Sequence, residues 1–212
     1  VQGATDFFYL HLPAGMEPKE CLASLRMNPH VEYCELDHVG QAFRTIPNDR
    51  GFSSQWHHSN QISASSRAVL YSPEAWDITQ GSTNVLVAIL DSGIDDRLRE
   101  LQGRVLAGYN FVSNSFDTMD VTGHGTVVAG ILAANANNYE AGAGIDWNCR
   151  LLPVKVIDDL NHVRESWVAQ GVDYAVAQGA KVINFSGGTD DEGGITLGRA
   201  ISNAVAQGVI FV

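Results

Sequence analysis

Six consecutive apolar residues, Val85–Leu90, end abruptly in Asp91, Ser92 and Gly93. A run of that length without alternation predicts a strand buried on both faces, and such strands belong to parallel sheets covered by helices. The residues that follow keep to this architecture. Gly125–Ala134 reads as a helix, Leu151–Ile157 as a strand, and Glu165–Gln178 as a helix with Trp167, Val168, Val172 and Ala175 on one face. Gly179 stops that helix. Val182–Phe185 is then a strand, Thr196–Gln207 a helix and Val209–Val212 a strand. Ahead of the series, Ser72-Pro73-Glu74 opens a short helix, with Ser72 as its capping side chain and Pro73 in the first turn. The alternation predicts an α/β fold, a parallel sheet with helices on both faces and right-handed crossovers. Ligands on such sheets bind beyond the carboxyl ends of the strands, where Asp91 and Ser186 fall.

The N-terminal part reads differently. Residues 6–40 suggest a small α/β unit: a strand over Phe7–Leu12, a helix from Pro18 to about Met27, and a half-buried strand over Val31–Leu36. About 40 residues rarely hold a core of their own. Arg44–Arg67 is polar and irregular, with Pro47, Asn48, Asp49 and Gly51 as breakers, and reads as a linker. His57 and His58 lie within it, and a metal role for the pair lacks a third ligand at helpful spacing. Cys21, Cys34 and Cys149 contain no paired spacing that signals zinc or redox chemistry; they read as buried core thiols, with a Cys21–Cys34 bridge as the alternative.

Composition narrows the class. Hydrophobic residues make up 45% of the 212 and charged residues 17%, the profile of a chain with a substantial core. A net charge of −11 argues against nonspecific binding to nucleic acid or to an anionic membrane surface. No apolar run approaches the roughly 20 residues that cross a bilayer. No signal peptide is visible. The chain starts close to one apparent strand and stops within another, which predicts a piece of a longer protein.

The chemistry gathers at two strings, VAILDSGID and VTGHGTVVAGIL. Asp91 ends a buried strand, so its carboxylate needs a partner. His124 opens a helix, whose positive end disfavours the imidazolium and keeps the ring available as a base. An aspartate accepting from one ring nitrogen fixes the tautomer while the other nitrogen takes a proton. The plainer alternative is an aspartate capping a turn and a histidine ending a helix.

These strings resemble the aspartate and histidine motifs of the subtilisin-like serine proteases, the subtilases. KVINFSGG resembles that family's substrate-binding segment. The separation of 33 residues between Asp91 and His124, and their order, suit the family. The resemblance runs from about Pro47 to Val212, and residues 6–42 resemble the family's N-terminal propeptide, an intramolecular inhibitor. It implies residues 6–42 as an incomplete propeptide unit, 43–71 as the junction and mature N-terminal segment, and 72–212 as part of a three-layer catalytic domain. Asp91 becomes the orienting acid and His124 the general base. Ser186, Gly187 and Gly188 line one edge of a peptide groove, and His162, Val163 and Arg164 the other. The implied substrate is a polypeptide and the implied location extracellular.

The family's nucleophilic serine sits in a GTSMA-like helix start, and none of Ser166, Ser186 and Ser202 has that context. An oxyanion-hole asparagine is likewise absent from these residues. The resemblance therefore implies a serine endopeptidase whose serine follows Val212, with residues 1–212 inactive alone. A noncatalytic peptide-binding pseudoprotease and an independent inhibitor in residues 6–42 are the alternatives. Val127 replaces the family's second histidine, Gly187 a bulkier residue and Val163 a glycine. No cofactor is required. A structural calcium ion is implied at Asp49, Glu100 and the 135–142 loop, including Asn138, although Glu100 stands where aspartate is usual.

Overall fold

Strand β1 (Leu86–Asp91) is buried along its whole length and lies at the centre of a five-stranded sheet. It pairs in parallel with β3 (Arg150–Lys155) on one side and β4 (Val182–Phe185) on the other. β2 (Tyr109–Asn110) and β5 (Ile210–Phe211) add parallel outer strands, giving the order β2-β3-β1-β4-β5. This computed structural model describes residues 8, 10–37, 44–58, 69–188 and 194–212.

Successive residues of a strand point to opposite faces, and β1 divides its apolar side chains accordingly. Leu86, Ala88 and Leu90 join a core built with Val168, Val172 and Ala175 of α4 (Glu165–Ala177) and Ala200 and Ala204 of α5 (Ile195–Ala206). Val87 and Ile89 join a second core with Ala129 and Ala133 of α3 (His124–Ala133). The result is three layers, α4 and α5 on one face and α3 on the other. Full burial of each Leu or Ile contributes about 1.5–3 kcal/mol. The helices sit close: a Cβ on Gly171 of α4 would meet Val154 of β3 and Val156 just past its end at 3.0 Å.

The chain divides into two compact units, Val1–Phe43 and Arg44–Val212. The expected linker is for the most part not one. Two 3-10 turns, Phe52–Ser54 and Trp56–His58, carry Phe52 and His58 into a small aromatic core with Trp76 and Trp147. Burial of those rings outweighs the local breakers; residues 59–67 of the expected linker lie outside the described residues. α2 (Ser72–Trp76) forms as expected, but Ser72 does not cap it. Tyr71 takes the N-cap position, and the Ser72 hydroxyl lies 2.8 Å from His58 Nδ1.

His58 is paired at both ring nitrogens. Nε2 donates to the Ala143 carbonyl at 3.2 Å, which leaves Nδ1 to accept from Ser72. Burial, then the neighbouring His57, lower its pKa to about 4. This is a neutral core histidine stacked on Phe52, not a metal ligand.

In the N-terminal unit, helix α1 (Pro18–Arg26) forms with Pro18 in its first turn. The half-buried strand over Val31–Leu36 is not found: among the described residues this stretch pairs with no other strand, and Tyr33 and Leu36 are exposed. Alternation alone does not make a strand without a partner edge. Phe8 and residues 10–12 are likewise outside any strand, and Phe7 and Tyr9 lie outside the described residues. Cys21 and Cys34 are free and half-buried, so the bridge is not formed. Cys149 is buried in the α3-side core, and burial pushes its thiol up to about 12, which keeps it unreactive. Among the described residues no helix is long and apolar enough to cross a membrane.

Candidate active site

Asp91 shares its parity with Val87 and Ile89, so its carboxylate leaves the end of β1 toward α3. His124 is the first residue of α3. Its Nδ1 stands 2.7 Å from Asp91 Oδ1. A carboxylate only accepts, so Nδ1–H is the donor and Nε2 keeps its lone pair. The Asp91 side chain is fully buried, whereas that of His124 is 52% exposed. The acid is sealed in the fold and the base faces solvent. Asp91 Oδ1 also accepts from the Ser92 amide at 2.7 Å, which fixes the carboxylate plane from a second direction.

The pair meets because α3 begins against the end of β1. Gly123 supplies the left-handed turn into the helix, at φ 87°. No side chain at that position caps the helix. Asp120 does so from three residues upstream. Its Oδ1 accepts from the Gly123 amide at 2.9 Å and the Ser92 hydroxyl at 2.9 Å. Its Oδ2 accepts from the Thr126 amide at 2.9 Å and the Thr126 hydroxyl at 2.6 Å. An anion at the positive end of a helix is favourable, and here it also joins the Asp91 turn to α3. Burial pushes the Asp120 carboxyl upward, but the Thr126, Gly123 and Ser92 bonds together hold it below the usual carboxylate range.

A groove of about 260 Å³ opens beside His124, lined by Ile157, Asn161, Val163, Ser186, Gly187 and Gly188. Four of the six residues expected at the peptide edges therefore meet there with the histidine. His162 and Arg164 do not line it. The His162 ring turns to Asp158, 3.3 Å away, and the Arg164 guanidinium sits 4.8 Å above the Trp167 ring. The reason is strand alternation about Val163, whose antiparallel bridge to Ile157 sends its neighbours outward. A Cβ at Gly187 would meet the Phe185 ring at 2.7 Å, so a larger residue there would have to displace that ring.

Asp49, Glu100 and Asn138 also come together. Asp49 accepts from the Asn137 and Asn138 amides at 2.8 and 3.3 Å, and Asn138 donates to Glu100 Oε1 at 3.0 Å. Glu100 Oε2 is buried without a protein partner. Burial, with Asp49 and Glu140 nearby, pushes the Glu100 carboxyl up. Two carboxylates around an orphaned oxygen suit a hard cation. Among the described residues no three His, Cys, Asp or Glu side chains converge for a metal, so calcium would draw its remaining oxygens from amides and the backbone.

Asp120 and Lys155 are the site residues that motif reading missed. A weak signal existed for each: an acid just ahead of a glycine-led helix, and a lone lysine inside an apolar strand.

Residues 82–212 match the model of the subtilase family. The chain is 37% identical over 189 residues to a thermophilic serine proteinase of Bacillus sp. strain AK1, covering 89% of this chain and 45% of that protein. It is 38% identical over 167 residues to thermitase of Thermoactinomyces vulgaris, covering 78% and 56% respectively. Among solved structures, fervidolysin from Fervidobacterium pennivorans shares 30% identity with a TM-score of 0.57, over 66% of this chain and 22% of that one. The chain spans about half the length of these two proteinases.

Proposed function

We propose, because this chain belongs to the subtilase family, that it carries the acid–base half of a serine endopeptidase active site. Asp91 orients His124, and Nε2 takes the proton of a serine hydroxyl as that oxygen attacks a scissile peptide carbonyl. The imidazolium returns the proton to the leaving amine, and water releases the acyl-enzyme by the same path. In this reading the serine and an oxyanion-hole asparagine belong to the part of the whole protein after position 212. The substrate is an extended polypeptide, pairing through its backbone with the groove edges at Val163 and at Ser186, Gly187 and Gly188.

One observation carries the reading: the 2.7 Å contact between a buried Asp91 and a half-exposed His124 at the rim of a groove. Nothing in the geometry favours a noncatalytic peptide binder over it. The same reading makes residues 6–42 the inhibitory segment of a zymogen, 43–71 the junction, and 72–212 catalytic, in an exported protein. Calcium at Asp49, Glu100 and Asn138 is proposed as a structural ion with no part in the chemistry.

The test is reaction of the full-length protein with a fluorophosphonate probe. Labelling is expected, and its loss in His124→Ala; in subtilisin itself removal of the histidine lowers kcat by about a millionfold. Undiminished labelling of the variant overturns the role of His124.

A further inference from the structure

The geometry points to Lys155 as a positioning residue for the Asp91–His124 pair, a role that rests on the protease reading above. Lys155 ends β3 and stands in register with Asp91 on β1. The strand is otherwise apolar from Leu151 to Val154, with each residue buried. The Lys155 side chain is only 5% exposed. A lone ammonium there would be strongly unfavourable, so its partners must compensate.

An ammonium has three protons, and three acceptors meet it. Nζ donates to the Ser92 carbonyl at 2.7 Å, the Met119 carbonyl at 3.2 Å and Asp159 Oδ1 at 2.8 Å. Ser92 directly follows Asp91. Met119 directly precedes Asp120, whose carboxylate holds the first turn of α3. One buried cation therefore ties the segment bearing the acid to the segment bearing the base. Asp159 is 55% exposed, so its share is screened by water, while the two carbonyls define where the ammonium sits. Asp120 joins the same two segments from the helix side and Lys155 from the sheet side. Without the second tie, the Asp91–Ser92 turn can shift relative to α3 while both elements stay folded.

The test uses the full-length protein and two readouts. The first is the low-field proton resonance of His124 Nδ1–H against Asp91, assigned by its absence in His124→Ala. The second is the rate of fluorophosphonate labelling. Lys155→Met keeps most of the length of the side chain and removes the donors; the resonance is expected to broaden away and labelling to fall at least about tenfold, since small misplacements of reacting groups cost that much or more. Lys155→Arg, which keeps a buried cation and donors, is expected to recover the resonance. A sharp resonance with labelling within about twofold of wild type in Lys155→Met overturns the proposal. Asp159→Asn keeps the test decisive even where Lys155→Met does not fold: the resonance is expected to persist, and its loss would transfer the role to the surface carboxylate. Absence of labelling in the wild type, with the resonance present, refutes the protease reading and leaves the positioning result standing.

Discussion

Gly125 holds the start of α3 against Asp91. A methyl group added there would meet Asp91 Cβ at 3.0 Å and Oδ1 at 3.1 Å, and would come closer still to the Gly93 carbonyl. The contact between acid and base thus depends on a missing side chain between them. Gly125→Ala is expected to cost about 1–3 kcal/mol through overpacking. It should also cut fluorophosphonate labelling by up to about a hundredfold as His124 moves away. Thermal unfolding and labelling kinetics on one preparation check both; unaltered labelling with the expected loss of stability would show that the helix yields elsewhere.

Asp120→Ala removes acceptors from the Gly123 and Thr126 amides, the Thr126 hydroxyl and the Ser92 hydroxyl. Leaving such donors unpaired is expected to cost about 1–3 kcal/mol in urea unfolding near neutral pH. Because the fold holds the Asp120 carboxyl below its usual range, the stabilisation is present above the unfolded pKa of about 4. It is lost as pH falls through the lower folded value. The gap between wild type and variant should therefore close under acid conditions, and a gap that widens contradicts the assignment.

His58 predicts acid sensitivity of its own. Its folded pKa is about 4 against 6.5 for the free group. The unfolded chain binds the proton first, so stability is full above 6.5 and declines as pH falls toward 4. The loss amounts to roughly 3 kcal/mol. His58→Gln is expected to be less stable at neutral pH, with a flatter dependence across that window. Parallel pH profiles for the two proteins would remove His58 as the cause.

Calcium at the Asp49–Glu100 cluster is expected to raise stability by about 2.7 kcal/mol when present at a hundredfold over its Kd. Chelation of the full-length protein should lower Tm, and Glu100→Ala should abolish the calcium response. Calorimetric titration showing no heat of calcium binding would dismiss the ion.

Much of the architecture is legible in residue order. Val85–Leu90 announces a doubly buried strand because six apolar side chains in a row have no solvent face. The α4 helix and β4 follow from Gly179 and from runs whose period matches their surroundings. Asp91 and His124 are legible as a pair because a carboxylate at the end of a buried strand needs a donor. Less legible was residues 44–58. Pro47, Asn48 and Gly51 read locally as a linker, yet Phe52 and His58 are buried through Trp76, Trp147 and the Ala143 carbonyl, the last 85 positions away from His58. The strand expected over Val31–Leu36 failed for the complementary reason: alternation prepares a strand but does not provide its neighbour.

The sequence by itself determined the βα alternation, the two motif strings and the order of acid before base, because these depend on local period and residue chemistry. Tertiary structure alone decided which carboxylate braces the histidine helix and where Lys155 places its protons. Asp120 and Ser92 are 28 positions apart, and Lys155 lies 63 from Ser92. Hydrogen bonds at such separations have no local signature; they exist only after parallel pairing has brought the ends of β1 and β3 to the same edge of the sheet.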